Sequence, residues 1–157
     1  CVLVPLMVAA NPLSLPDRRL LERLVLAEAR GEGKLGMALV ARSVLNRLAL
    51  LRSGKLPPHI YAALARTLRD VIYAPYQYSP VKDGSLEHTR TASELKRADA
   101  AIALALDTTA LKAALKGAGV SDANRSKLIA ATGFRTPDAF HDSSQAAGRA
   151  RQTSHTD

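Results

Sequence analysis

Tryptophan is absent from this chain, and aromatic residues make up only 4%, as two Phe and four Tyr. The core is therefore mostly aliphatic. A single cysteine, Cys1, rules out an intrachain disulfide framework and a cysteine-based zinc site within one chain. The four histidines (His59, His88, His141, His155) include no helix-spaced pair, so no metal site is expected. There is no phosphate-cradling glycine loop and no internal repeat, and no cofactor is expected. The apolar opening stretch, Cys1 to Ala10, is too short to cross a bilayer as a helix.

What is present favours helix. The 157 residues suit one domain with one core, and 47% of them are hydrophobic, mainly Ala and Leu. The net charge is +8, from 22 basic and 14 acidic residues. Residues 1–75 carry 11 Lys/Arg against 5 Asp/Glu, and the remainder 11 against 9. A basic surface attracts nucleic acid, anionic lipid or an anionic wall polymer, and the sign alone does not choose among them. The basic residues do not gather on one recognition face, which argues against specific nucleic-acid binding.

Three regions are expected. Residues 1–16 form an apolar arm ending in a Pro- and Ser-containing linker, residues 17–141 a folded domain, and residues 142–157 a polar tail. The chain does not open with Met, which fits a processed product or a fragment. The arm reads as a signal-peptide remnant, a lipid-anchored N-terminal cysteine, or a segment that packs on the domain or on a neighbour.

Within the domain, Asp17 is placed to cap a helix whose buried stripe is Leu20, Leu21, Leu24 and Val25. A second helix is expected over 35–52, with Met37, Val40, Val44, Leu48 and Leu51 inward and Ser53-Gly54 as its stop. A third spans 60–72, with Leu64, Leu68, Val71 and Ile72 inward. Residues 73–84 hold three tyrosines, two prolines and an Asp-Gly turn signal, which predicts an extended loop or short hairpin. A helix over 93–105 presents Leu95, Ala98, Ile102 and Leu106. A short one follows after Asp107, ending at Gly117 and Gly119. Ser121 to Lys127 reads as loop, and the stretch from Leu128 to Thr136 as a short helix or a returning strand.

The strongest chemical signal is Ala27-Glu28-Ala29-Arg30-Gly31-Glu32-Gly33. Leu21, Leu24 and Val25 precede Glu28 by seven, four and three residues, so Glu28 falls on the core-facing stripe of a helix. An apolar wall raises a carboxyl pKa, and a carboxyl still protonated near neutral pH is suited to general-acid work. The plainer reading is a Glu that bends to solvent at the helix margin or pairs with Arg30, Lys34 or Arg47. Glu32 reads as an ion-pair partner or a loop residue. Arg30 reads as a holder of Glu28, a substrate contact, or a cation closing the helix end. Asn46 is expected to hydrogen-bond near the Glu28 loop. The tyrosines of residues 73–78 either pack on sugar rings or fill a core edge.

The Ala27–Gly33 run, with Leu39-Val40-Ala41-Arg42-Ser43-Val44-Leu45-Asn46-Arg47 after it, resembles the SleB-type cell-wall hydrolases. So does Val71-Ile72-Tyr73-Ala74-Pro75-Tyr76-Gln77-Tyr78-Ser79-Pro80-Val81, and so does Ala131-Thr132-Gly133-Phe134-Arg135-Thr136-Pro137. The resemblance covers roughly residues 17–140. It implies a mainly α, lysozyme-like domain with a small β-element beside a cleft. It also implies cleavage of peptidoglycan glycan strands between N-acetylmuramic acid and N-acetylglucosamine, outside the cytoplasm or from a phage particle. By motif position Glu28 is the catalytic acid. Gln77, Tyr78, Ser79, Thr132 and Arg135 are candidate substrate contacts, with Arg30, Glu32 and Asn46 in support.

Ordinary glycosidases use two carboxyl groups at a defined separation. No convincing second acid stands out, because turn chemistry with Gly84 accounts for Asp83. One carboxyl suffices for a lytic transglycosylase, in which the sugar's own 6-OH attacks; attack by water would make a muramidase. The alternative reading is a structural or assembly protein of a virion or cell envelope that keeps this domain and meets its partners through the N-terminal arm.

Overall fold

The computed structural model describes residues 13–55, 65–75 and 77–132, and every regular element among them is helical. Residues 1–12 of the arm, the whole tail over 142–157, Leu64 and Arg135 lie outside the described residues.

Helix α1 (Leu15–Ala29) begins two residues before Asp17. Its cap is Ser14, whose hydroxyl accepts from the Asp17 N–H at 3.3 Å. Pro16 is tolerated in the first turn, where a missing N–H costs nothing. Asp17 lies inside that turn and favours it through the helix dipole instead of capping it. Leu21, Leu24 and Val25 are fully buried, as the spacing predicts, with Leu20 partly so.

Helix α2 (Gly33–Arg52) buries Met37, Val40, Val44, Leu48 and Leu51, together with Ala38 and Ala41. Gly33, at φ 71°, makes the left-handed turn that separates α1 from α2. Helix α5 (Ala92–Leu106) lies against both α1 and α2, and these three form the central packing unit. Its inward stripe is Ala98, Ala101, Ile102 and Ala105. Leu106 is out of phase with that set and 41% exposed, and Leu95 is only partly buried. The small alanines let α5 approach its neighbours closely.

Helix α3 (Leu68–Ile72) is shorter than the expected 60–72. Ala65 to Thr67 are not helical, because Thr67 and Asp70 form a capping box that starts the helix at Leu68. Leu68, Val71 and Ile72 point inward as expected. No strand occurs among the described residues, so the small β-element and the hairpin over 73–84 are not found there. In their place stand a one-turn helix α4 (Ser79–Lys82) and a 3₁₀ turn over Ser85–Glu87. Local hydrogen bonds, Val81 N–H to Tyr78 O and Asp83 N–H to Ser79 O, satisfy this backbone without a ladder. Pro80 fits the first turn of α4, and Gly84 at φ 78° redirects the chain.

Asp107 caps α6 (Thr108–Gly117), which buries Leu111 and Leu115 as its spacing requires. The segment expected to be a loop is helix α7 (Asp122–Ala130), with Ser121 as its N-cap. It carries no apolar stripe in its first two turns and docks through a polar anchor. Arg125 is 8% exposed, pairs with Asp122, and donates to the carbonyl of Val120.

Candidate active site

Glu28 occupies the last turn of α1, just ahead of the turn made by Gly31 to Gly33. It is half-buried, whereas the following Ala29 takes the deep position. The expected place on the core stripe is thus realised at its margin. Burial is the main cause that raises the Glu28 pKa, and the negative charge of Asp83 adds to it. Among the described residues its carboxylate has neither an ion pair nor a hydrogen bond.

The two arginines expected near Glu28 are committed elsewhere. Arg30 pairs with Glu94 of α5 at 3.3 Å, and the Arg30 carbonyl accepts from Arg97. Arg30 therefore clamps the end of α1 to α5. Arg47 donates to Gln77 Oε1, and its guanidinium lies 5.7 Å from the centre of the Tyr78 ring. Lys34 is exposed and forms no ion pair among the described residues. Glu32 is exposed, forms no ion pair among the described residues, and belongs to the loop. Its side chain fills the space that a Cβ on Gly36 would need.

Gln77 is half-buried, Tyr78 is 4% exposed, and Ser79 is exposed on the first residue of α4. Tyr78 thus belongs to the edge of the core, while Gln77 and Ser79 reach the surface beside it. Helix α1 packs on both α4 and the 3₁₀ turn, which brings this segment to the side of α1. An Arg23–Glu87 ion pair at 3.2 Å and a Tyr73 hydroxyl donating to Glu87 at 3.1 Å fasten that side.

Asn46 does not reach the Glu28 loop. Its Nδ2 donates to the carbonyls of Ile129 at 2.6 Å and Ala131 at 2.9 Å. It faces the end of α7, where the carbonyls in the last turn lack helical partners. Asn46 therefore anchors the segment that leads into Thr132, which is partly buried.

The residue that sequence reasoning set aside is Asp83. Its turn role is real: the Ser85 N–H donates to Oδ1 at 2.8 Å. The Ser85 hydroxyl and N–H together hold its carboxyl below the usual range, with a small contribution from His88. The same residue also acts electrostatically on Glu28. Sequence offered only its position four residues after Ser79, and the packing of that turn on the Glu28 helix is a feature of the fold.

A groove lined by Leu15, Arg18, Arg19, Glu22, Lys96 and Asp99 lies toward the other end of α1. Glu28 is about 9 Å further along the helix axis than Glu22. Four of the groove's five charges are mutually paired, Arg18 with Asp99 and Arg19 with the buried Glu22. No helix among the described residues is long and apolar enough to cross a membrane.

Among known proteins, no curated protein and no solved structure matches this chain. The family described as Cell Wall Hydrolase matches residues 31–147. That span opens at Gly31, just after Glu28, and takes in α2, the Gln77–Ser79 segment and α7. With the match extending over more than half of its length, the chain belongs to the cell wall hydrolase family.

Proposed function

We propose that this protein cleaves the glycan strands of peptidoglycan between N-acetylmuramic acid and N-acetylglucosamine, as a lytic transglycosylase with Glu28 as acid and then base. The observation that carries this reading is the state of Glu28. It is a half-buried carboxyl with a raised pKa and no cation beside it, at a helix end next to an exposed segment. Such a group holds a proton closer to neutral pH than a free Glu and is open to a partner.

In the first step the bond between C1 of the muramic sugar and the bridging oxygen breaks. The electron pair leaves with the oxygen, which takes the Glu28 proton. In the second step the 6-OH of the same sugar bonds to C1, and its proton passes to the Glu28 carboxylate. No water is consumed, and Glu28 is restored to its starting form. In this reading Gln77 and Ser79 contact sugar hydroxyl and acetamido groups, and Thr132 and Arg135 are further substrate contacts.

Mass spectrometry of the soluble products from purified peptidoglycan tests this. Products ending in 1,6-anhydro-N-acetylmuramic acid are expected. Reducing muramic ends would make the protein a muramidase. No products from either intact or peptide-stripped glycan would overturn the catalytic reading.

A further inference from the structure

The Glu28 carboxyl has no hydrogen bond or ion pair among the described residues, so the backbone beneath it sets its place. That backbone is the last turn of α1, and beyond Arg30 the chain leaves the helix and turns at Gly33. The carbonyls of a last turn lack helical partners, and a terminal turn opens at little cost unless it is tied.

Two ties come from the first turns of α5. Arg30 Nη1 pairs with Glu94 Oε1 at 3.3 Å, and Arg97 Nη2 donates to the Arg30 carbonyl at 3.4 Å. Within the turn itself, the Glu32 N–H donates to the Ala29 carbonyl at 3.0 Å. Glu94 is in turn fixed by its own helix start. Its other oxygen, Oε2, accepts from the Thr91 N–H at 2.9 Å and from the Thr91 hydroxyl at 3.1 Å. The capping box therefore uses one carboxylate oxygen and leaves the other for Arg30. The Glu94 side chain is only 19% exposed, so water screens this pair less than a fully exposed one. The other ion pairs of α1 lie further back along the helix, Arg18 with Asp99 in its first turn and Arg23 with Glu87 near its middle. They hold the body of the helix and leave its last turn to Glu94 and Arg97.

We propose that Glu94 is a positioning residue for glycan cleavage. Through Arg30, two residues after Glu28, it holds the last turn of α1 against α5 and so keeps the acid in place. Arg97 acts on the same turn through the Arg30 carbonyl. This rests on the glycan-cleaving reading above. Neither residue bonds to the sugar or moves a proton, so the balance through Glu28 is unchanged. Proton transfer needs the acid within hydrogen-bond reach of the bridging oxygen, so a loosened turn lowers the rate more than it weakens binding.

The test is Glu94→Gln, assayed on soluble peptide-free glycan oligomers. A glutamine here still accepts from the Thr91 N–H, so the capping box survives while the charge that holds Arg30 is lost. A fall in kcat of about tenfold is expected, short of the roughly hundredfold that a misplacement of about 1 Å can cost. KM and stability in urea are expected to stay close to wild type, and amide exchange to quicken at the end of α1. Arg30→Gln should lose a similar factor, and the double variant no more than either single one, because both break one contact. Arg30→Lys, which keeps the charge, should recover part of the rate. If Glu94→Gln does not fold, Arg97→Gln removes the other tie and leaves the capping box intact, with the same fall in kcat expected. Wild-type kcat in a folded Glu94→Gln would overturn the proposal. So would losses that multiply in the double variant, since each residue would then act on its own. A wild-type protein that releases no glycan products would count against the parent reading. Exchange at the end of α1 would still decide the tie, and unchanged exchange in Glu94→Gln would overturn it.

Discussion

The Arg47 guanidinium donates to Gln77 Oε1 and lies over the ring of Tyr78. An arginine can only donate, so the amide oxygen of Gln77 must face it. The amide Nε2, with only a long contact to the Pro75 carbonyl at 3.4 Å, is left to donate outward. In the proposed reading Gln77 uses this donor to read an acceptor, such as an acetamido carbonyl. Gln77→Glu separates the two roles. It turns the Arg47 contact into a charge-assisted pair and deletes the outward donor. Stability in urea is expected to equal or exceed that of the wild type, while affinity for N-acetylated glycan falls. Weaker folding together with unchanged affinity would show that Gln77 is only a structural tie.

Glu28→Gln keeps volume and removes the acid. Glycan cleavage is expected to fall about a thousandfold or more, with the fold retained by circular dichroism. A folded variant with normal activity would remove Glu28 from the mechanism.

The raised pKa of Glu28 also predicts a pH dependence of stability. A carboxyl that binds its proton more tightly in the folded state stabilises that state fully below the unfolded value, near 4.5. That contribution is lost as pH rises through the raised folded value. Asp70, Asp83 and Glu94 act in the opposite sense. Their carboxyls are held down chiefly by hydrogen bonds from Thr67, Ser85 and Thr91, and their contributions are lost as pH falls through their lowered values. Denaturant titrations of wild type and Glu28→Gln across this range should diverge above pH 4.5, with the variant gaining relative stability. Parallel curves would mean that Glu28 titrates alike in both states.

What could be read in advance follows from periodicity. The stripes Leu21, Leu24, Val25 and Met37, Val40, Val44, Leu48, Leu51 fix α1 and α2, because burial of aliphatic side chains dominates their placement. Those two helices place Glu28 at the end of α1, so the central candidate of the site was legible too. Residues governed by polar contacts were not. Helix α7 is held by Arg125 and the Ser121 cap, which leave no apolar period. Likewise, Asn46 could be assigned a hydrogen bond but not a direction, since its partners are carbonyls 83 and 85 residues away in sequence. The Asp83–Glu28 relation is of the same kind. Turn chemistry explained Asp83 locally, and only the packing of α4 and the 3₁₀ turn on α1 lets its charge bear on Glu28. Leu106 failed because the stripe of α5 follows small alanines, a weaker signal than leucine.

Asn46 offers the clearest test of a long-range polar tie. Its two donors meet the Ile129 and Ala131 carbonyls at the end of α7, joining the second helix to the segment that carries Thr132. Asn46→Ala removes both bonds and is expected to cost about 2 kcal/mol in urea denaturation. Asn46→Asp should be worse, because it replaces the donor with a charge that faces two carbonyl oxygens. Hydrogen exchange is expected to rise in the amides of α7 before those of α1 and α2, since the tie is local to one end of the domain. If Thr132 contacts glycan, the alanine variant also raises KM more than it lowers kcat, because Glu28 lies on a different helix. Uniform exchange throughout the chain would mean that Asn46 supports the whole core and not the placement of this segment.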